Sequence, residues 1–287
     1  MKKAYIYAGT SILLWSTIAT ISKLLLSTMD SYQILYISAL FASLTLFGFI
    51  IFSGRVSVLK QYKIKDYLIM IAIGLPGNFF YNLFLYEGTD RMLASQAFII
   101  NYLWPIMSVV FACILLKEKM TVRKAIAIVM SFLGVITVAG GDLLSFNTKT
   151  LSGVLLCVCA AISYGLFTAL NQKWHFDKDL SMAVSFFSTF LISLVISLAN
   201  GKMVAVGALQ LAGIAFNGIF VLAIATTTWA LALDSGKTAK ISNLAYITPF
   251  LSLIWTCVFL HEPIKPLSVA GLAIIVIGIF IQLKDKK

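Results

Sequence analysis

The sequence is poor in charged residues. Asp, Glu, Lys and Arg make up 11% of its 287 residues, whereas a soluble domain carries about 25%. Hydrophobic residues make up 60%, and the mean hydropathy is +0.97. This composition excludes an ordinary soluble fold and indicates an integral membrane protein. A net charge of +11 would suggest nucleic acid in a soluble protein, but basic loops between membrane helices produce the same excess, so no nucleic-acid partner is predicted.

Motifs for catalysis, metal binding and nucleotide hydrolysis are missing. The sequence contains neither H-E-x-x-H nor G-x-x-x-x-G-K-[ST], which argues against a metalloprotease and against direct use of ATP. The cysteines lie inside apolar runs without the spacing of metal ligands; they are Cys113, Cys157, Cys159 and Cys257. We therefore predict no enzyme activity, no catalytic residues, no bound metal and no cofactor.

Charged residues divide the chain into ten uncharged stretches, most of them close to the roughly 20 residues that a spanning helix needs. The stretches are 4–22, 31–54, 67–86, 92–116, 125–141, 150–172, 180–201, 203–233, 241–260 and 266–283. If the N-terminus is cytoplasmic, 17 of the 22 Lys and Arg residues fall on the cytoplasmic side, as the positive-inside rule requires. The sequence thus predicts ten transmembrane helices with both termini in the cytoplasm.

A pattern in the fourth stretch recurs 144 residues later. The identities at this offset are Tyr102 with Tyr246, Pro105 with Pro249, Cys113 with Cys257, Glu118 with Glu262 and Gly134 with Gly278. We expect two copies of one five-helix unit, residues 1–141 and 150–287. An odd number of helices inverts the second copy, and transporters use inverted repeats to enclose a substrate site near the membrane midplane. The predicted fold is all-α, with ten transmembrane helices in two inverted five-helix repeats around a central cavity.

The acidic residues all fall at predicted helix ends or in loops. Proton-driven transporters usually keep a carboxylate or a histidine within the membrane, so we expect facilitated movement down a gradient. A sodium site built from carbonyls and hydroxyls stays open. Glu118 and Glu262 are expected to cap turns or to pair with nearby lysines. Lys23 is expected either to reach the interface or to attract a substrate carboxylate.

Neutral polar and aromatic residues lie at the predicted membrane depth, several of them beside prolines that interrupt a helix. The candidate substrate-binding residues are Trp15, Tyr81, Asn82, Asn101, Tyr102, Trp104, Tyr164 and Tyr246, and Asn243 lies near the last of them. Trp104 lies too far from either end of its stretch to belong to an interfacial belt. Asparagine in a membrane also joins helices by hydrogen bonds, so that alternative stays open for the asparagines.

Two five-helix repeats that end in Leu-x-Glu, with Trp15-Ser16 and Tyr164-Gly165 in the first helix of each, resemble the EamA branch of the drug/metabolite transporter (DMT) superfamily. Asn-Tyr-Leu-Trp-Pro at 101–105, Gly-Gly-Asp at 140–142 and Tyr-x-Thr-Pro at 246–249 are similar to the YddG-type aromatic amino-acid exporters. By position, Tyr81, Asn82, Tyr102, Trp104 and Tyr164 match the cavity-lining region of those exporters. A second tryptophan expected in helix six is Tyr164 in this chain.

The resemblance implies export of aromatic or other neutral amino acids by alternating access, across an inner membrane, with a small-molecule substrate and the lipid bilayer as partners. The alternative within the superfamily is an exporter of cationic drugs or of another metabolite, with or without proton coupling. A membrane-embedded enzyme or a scaffold is the remaining class, and the sequence offers no catalytic set for the enzyme.

Overall fold

Ten apolar helices make up most of the chain in the computed structural model, which describes residues 2–144, 147–201, 203–235 and 244–283. They are α1 (Lys2–Leu26), α2 (Ser31–Phe52), α3 (Ile64–Arg91), α4 (Ala94–Leu115), α5 (Val122–Gly140), α6 (Thr148–Lys173), α7 (Lys178–Asn200), α8 (Ala208–Ala232), α9 (Ala245–Leu260) and α10 (Pro266–Gln282). Over these ranges, eight helices are long and apolar enough to cross a membrane, and α9 and α10 are shorter. The prediction of an all-helical membrane protein with ten apolar helices is confirmed.

The helices pair across the two halves of the chain. α5 packs along α10, α2 along α7, α1 against α8 and α3 against α6. Exchanging the two halves converts the α5–α10 and α2–α7 pairs into themselves and converts the α1–α8 pair into the α6–α3 pair. This symmetry is expected for two related units. At the α5–α10 contact, a Cβ added to Gly134 would lie 2.7 Å from the Gly271 carbonyl oxygen, so only glycine allows this approach. Gly278, the partner of Gly134 at the 144-residue offset, packs in the same contact against Met130 and Ala127.

Two helices are interrupted beside their prolines. In α4 the helix stops at Asn101, turns through Tyr102 and Leu103, and starts again at Trp104. In α9 a short 3₁₀ turn, Ala245–Ile247, precedes the helical part Thr248–Leu260. Pro105 and Pro249 occupy the second position of the restarted helices, where a missing N–H is tolerated. The predicted proline breaks are therefore present, in corresponding places of the two halves.

Three further irregularities lie in α1, α3 and α8. α1 is interrupted at Thr17, where the Ser16 and Thr17 hydroxyls donate back to carbonyls three residues earlier at 2.7 Å, a bonding pattern that bends helices. α3 and α8 each contain a π-helical stretch, Leu75–Phe80 and Phe216–Ile224. Such stretches often mark functional sites.

The two ends of the bundle differ in their contacts. We call the end that holds residues 171–179 the open end, and the end that holds the α3–α4 junction the closed end. At the open end, the Arg55 guanidinium pairs with Asp177 and with Asp179, the latter at 2.5 Å. The hydrogen bond with Asp179 raises the pKa of Arg55, in spite of partial burial, so this cation stays charged. It ties the segment after α2 to the start of α7.

Candidate functional site

A cavity of about 580 Å³ lies between the two halves of the bundle, within the range of about 300–1,000 Å³ that is usual for small-molecule sites. Every helix except α5 and α10 contributes described residues to its walls, and its lining continues to Trp174, His175 and Asp179 at the open end. Seven of the eight candidate residues line it: Trp15, Tyr81, Asn82, Asn101, Tyr102, Trp104 and Tyr164. The structure thus brings together residues that lie up to about 150 positions apart in the sequence.

An aromatic cluster forms one part of the wall. The Tyr164 ring of α6 lies 4.7 Å from the Tyr81 ring and 5.1 Å from the Trp104 ring, measured between centroids, and the Trp104 contact is edge-to-face. Phe167, one turn further along α6, lies 5.6 Å from Tyr164. Gly165 lets α6 approach the backbone of α4, because a Cβ there would come within 2.8 Å of the Ser108 nitrogen. A glycine beside the tyrosine therefore brings the rings of three helices together.

A second aromatic pair lies on α1 and α8, where Trp15 and Trp229 have ring centroids 5.4 Å apart. Both residues line the cavity and are partly exposed within it. Trp229 was not among the candidate residues; it lies in the uncharged stretch 203–233, which has 31 residues and is longer than one span. The pairing of α1 with α8 repeats that of α6 with α3, so the two aromatic groups occupy related positions in the two halves.

The π-helical stretches place two asparagines in corresponding positions. Asn78 of α3 donates to the Ser185 hydroxyl of α7 at 2.5 Å, and Asn217 of α8 donates to the Ser38 hydroxyl of α2 at 3.1 Å. Asn217 also donates to the Tyr86 hydroxyl at 2.9 Å. Both asparagines are buried and line the cavity. They join helices of opposite repeats. The sequence analysis missed Asn217, although a glycine beside an asparagine in the third helix of each half was a signal for it.

Asn82 and Tyr102 are held by hydrogen bonds to backbone carbonyls. The Asn82 amide donates to the Asn78 carbonyl at 2.7 Å. The Tyr102 hydroxyl donates to the carbonyl of Ala245 in the break of α9. Tyr102 is 4% exposed, so its hydroxyl serves the fold as well as the cavity wall.

Tyr246 is the candidate residue that the structure places elsewhere. Among the described residues it does not line the cavity, and its ring packs against Phe280 of α10 with 5.5 Å between centroids. The 3₁₀ turn explains the difference, because residues three apart share a face of such a turn. Ala245 and Thr248 face the cavity, and Tyr246 between them is rotated away. The expectation that Tyr246 lines the substrate site is therefore corrected. Asn243 lies outside the described residues.

The closed end is held by two charged side chains. The Glu262 carboxylate accepts hydrogen bonds from the backbone N–H groups of Ala94 and Ser95 at 2.7 and 2.9 Å, and from the Ser95 hydroxyl at 2.7 Å. The Lys23 ammonium donates to the carbonyls of Thr89 and Met92 at 2.6 and 2.8 Å. Glu262 thus caps the start of α4, and Lys23 caps the end of α3.

These contacts can be compared with the roles expected for three charged residues. Glu262 is a capping residue, and Glu118 pairs with Lys124 at 2.9 Å, as the sequence analysis proposed for these two positions. Lys23 binds backbone carbonyls of the α3–α4 junction. Of the charged residues that the structure describes, Lys178 and Asp179 line the cavity, both at its open end. The rest of the described lining is neutral, and it suits a small molecule with an aromatic or apolar body and a few polar groups.

Comparisons with known proteins agree with this arrangement. The model of the EamA-like transporter family matches twice, at residues 2–140 and 151–283. An uncharacterized transporter of Archaeoglobus fulgidus is 27% identical over 247 residues, which cover 84% of this chain and 85% of the relative. The uncharacterized inner membrane transporter YhbE of Escherichia coli is 25% identical over 288 residues, covering 94% and 88%.

A solved crystal structure superimposes with a TM-score of 0.69 at 19% identity, over 98% of this chain and 96% of the other, which shows a shared fold. With family matches that cover both halves, and with ten apolar helices around a central cavity, the chain belongs to the EamA-like transporter family and is a multi-pass membrane transporter.

Proposed function

We propose that the protein exports neutral amino acids with aromatic side chains from the cytoplasm across an inner membrane, by alternating access and without a coupling ion. One observation carries the proposal. The cavity wall combines the Tyr81, Tyr164 and Trp104 rings with neutral amide groups, and its described charged lining lies only at the open end. Aromatic walls stack on a flat apolar group, and neutral polar groups hold a zwitterion without a net charge to balance.

The shape of the cavity and the loop charges support the first step of export, which is entry of substrate from the cytoplasm. The cavity reaches the end that holds residues 171–179, and the α3–α4 junction closes the other end. The distribution of basic residues assigns the open end to the cytoplasm. In this arrangement the structure represents a state that accepts substrate from the cytoplasm. Both termini then lie on that side.

Cationic compounds are the second candidate, because ring walls also attract cations. A cationic substrate would need an unpaired carboxylate in the cavity wall. Asp179 is the acidic residue among the described lining residues, and it already pairs with Arg55 at 2.5 Å. A desolvated carboxylate free to bind a cation is therefore not provided by the described part of the wall.

The test is transport of labelled tryptophan, phenylalanine, leucine and a quaternary ammonium dye in proteoliposomes, with and without a pH gradient. We expect flux of the aromatic amino acids that is independent of the gradient. Trp104→Ala should lower that flux at least about tenfold, since it removes both a stacking surface and the edge-to-face contact with Tyr164. Trp104→Phe should retain most of it.

The matched control is Ile114→Ala, a lipid-facing position of the same helix that is 64% exposed in the bundle. It should transport like the wild type. Normal flux in Trp104→Ala, or transport of the dye in preference to every amino acid, would overturn the proposal.

A further inference from the structure

Each proline break removes the N–H that would have satisfied a carbonyl four residues earlier. Pro249 does this to Ala245, and Pro105 does it to Asn101. The Ala245 carbonyl accepts instead from the Thr248 N–H of the 3₁₀ turn and from the Tyr102 hydroxyl. The 144-residue repeat would assign Tyr246 to the Asn101 carbonyl in the same way, but Tyr246 packs against Phe280 instead. The two breaks are alike in sequence and different in hydrogen bonding.

The side chain of Asn101 carries an unsatisfied acceptor beside the Asn101 carbonyl. Its amide nitrogen donates to the Tyr81 hydroxyl at 3.0 Å, while its amide oxygen is buried and has no hydrogen-bond partner among the described residues. The residue is 2% exposed and lines the cavity. A buried carbonyl that loses its water without gaining a donor is unfavourable. The role of Asn101 in joining α4 to α3 needs only the nitrogen, so it does not explain the free oxygen.

The position of Asn101 relates these acceptors to the aromatic cluster. Asn101 bonds directly to Tyr81, whose ring contacts Tyr164, which in turn contacts Trp104. A ligand that lays its ring against this cluster has its polar part within reach of the break in α4. An ammonium group carries three N–H donors, and a residue with an unsatisfied side-chain oxygen and a backbone carbonyl freed by proline offers complementary acceptors.

We propose that Asn101 is the specificity-determining residue for the substrate's amino group, which donates to the Asn101 side-chain oxygen and so selects amino acids over aromatic acids that lack the amine. This inference rests on the proposed function and names the chemistry that the site recognises. Sites built to hydrogen-bond a polar group reject analogues that lack it, because the buried partner is then left unpaired.

The experiment compares tryptophan with indole-3-propionate, which has the same ring and carboxylate and lacks the amine. Each compound competes with labelled tryptophan in proteoliposomes, and the readout is the ratio of the two inhibition constants. In the wild type we expect tryptophan to compete at least about tenfold better. In Asn101→Leu the ratio should fall to within about twofold of one, chiefly through weaker binding of tryptophan.

Two variants separate the acceptor from the general effects of mutation. Asn101→Asp keeps an acceptor oxygen, and the Tyr81 hydroxyl can donate to it, so its ratio should equal or exceed that of the wild type. Ile114→Ala changes a lipid-facing position of the same helix that offers no hydrogen-bonding side chain to the cavity. It should keep the wild-type ratio whatever happens to the total flux.

The outcomes distinguish the two proposals. If neither compound competes and no amino acid is transported, the proposed function fails. If tryptophan is transported but the wild type or Asn101→Asp shows no preference for it over indole-3-propionate, or if Asn101→Leu keeps the full preference, the role of Asn101 is refuted while the proposed function stands. Because the wild type and Asn101→Asp each give a decisive result, poor folding of Asn101→Leu does not remove the test.

Discussion

Glu262 holds the closed end through hydrogen bonds to both of its carboxylate oxygens, and Glu262→Gln replaces one of these oxygens by an NH₂ group. Its carboxylate accepts from two consecutive N–H groups, those of Ala94 and Ser95, and the residue is 7% exposed. The glutamine keeps one acceptor oxygen, but its amide NH₂ group faces a backbone N–H, and two donors cannot form a hydrogen bond with each other. The favourable charge beside the start of α4 and near Lys23 is lost as well.

The size of the effect follows from these contacts. Loss of one buried hydrogen bond to a charged group costs about 1.5–3 kcal/mol. We expect opening of the closed end to separate Glu262 from α4, so that this cost falls on the state in which that end is closed. The population with that end open should therefore rise by about 10- to 150-fold, provided that it is a minor state in the wild type.

The assay is the rate at which a membrane-impermeant maleimide labels a cysteine at position 92, in a background where the four native cysteines are replaced by alanine. Met92 is buried at the closed end, and its backbone carbonyl, which binds Lys23, is kept in the cysteine variant. Labelling should be slow in this background and at least about tenfold faster when Glu262→Gln is added.

The repeat supplies a matched control. Glu118 is the corresponding glutamate of the first half, and its side chain is 49% exposed and pairs with Lys124. An exposed ion pair contributes little, so Glu118→Gln should leave the labelling rate at position 92 within about twofold of the background. Equal rates in the Glu262→Gln and Glu118→Gln proteins, with both folded, would refute the assignment of Glu262 to the closed end.

Two further predictions concern stability, measured as thermal unfolding in detergent. Tyr102→Phe removes the side-chain donor to the Ala245 carbonyl, which keeps the Thr248 backbone N–H, and should lower the free energy of unfolding by about 0.5–1.5 kcal/mol, whereas Tyr246→Phe, whose described contact is made by its ring, should have a smaller effect. Gly134→Ala places a methyl group 2.7 Å from a carbonyl oxygen of α10 and should destabilise by about 1–3 kcal/mol, whereas Gly140→Ala on the same helix meets no atom within 4 Å and should be neutral or stabilising. An unfolding temperature equal to that of the control, in either pair, would contradict the packing described.

Membrane helices were predictable because their signal is local. A run of about 20 uncharged residues is sufficient to mark a span, and all ten stretches contain an apolar helix. The ends were less accurate. The first stretch was placed at 4–22, but α1 runs from Lys2 to Leu26. The Lys23 ammonium lies on carbonyls of the α3–α4 junction, outside the apolar region, so its charge does not end the helix. The π-helical stretches of α3 and α8 were not predicted, because they depend on contacts with other helices.

Neutral polar and aromatic residues beside prolines identified the candidate residues in the sequence. Their arrangement around the cavity could not be predicted in that way. A tyrosine at 102 and a tyrosine at 246 are equivalent in the repeat, and yet only the first lines the cavity. Trp229 carries no mark in the sequence that separates it from lipid-facing residues, and the signal for Asn217 is a neighbouring glycine; the structure places both in the cavity wall. Equivalent residues differ here because the bundle is open at one end and closed at the other.

By itself the sequence determined that this is a ten-helix membrane protein built from two related halves, with helix breaks at Pro105 and Pro249, since apolar length and the missing proline N–H act within one segment of chain. The tertiary structure decided which rings meet, which of the two freed carbonyls receives a tyrosine hydroxyl, and which end of the cavity is closed. Those outcomes depend on contacts between helices far apart in the sequence, and a bundle that is open at one end and closed at the other gives equivalent residues of the two halves different neighbours.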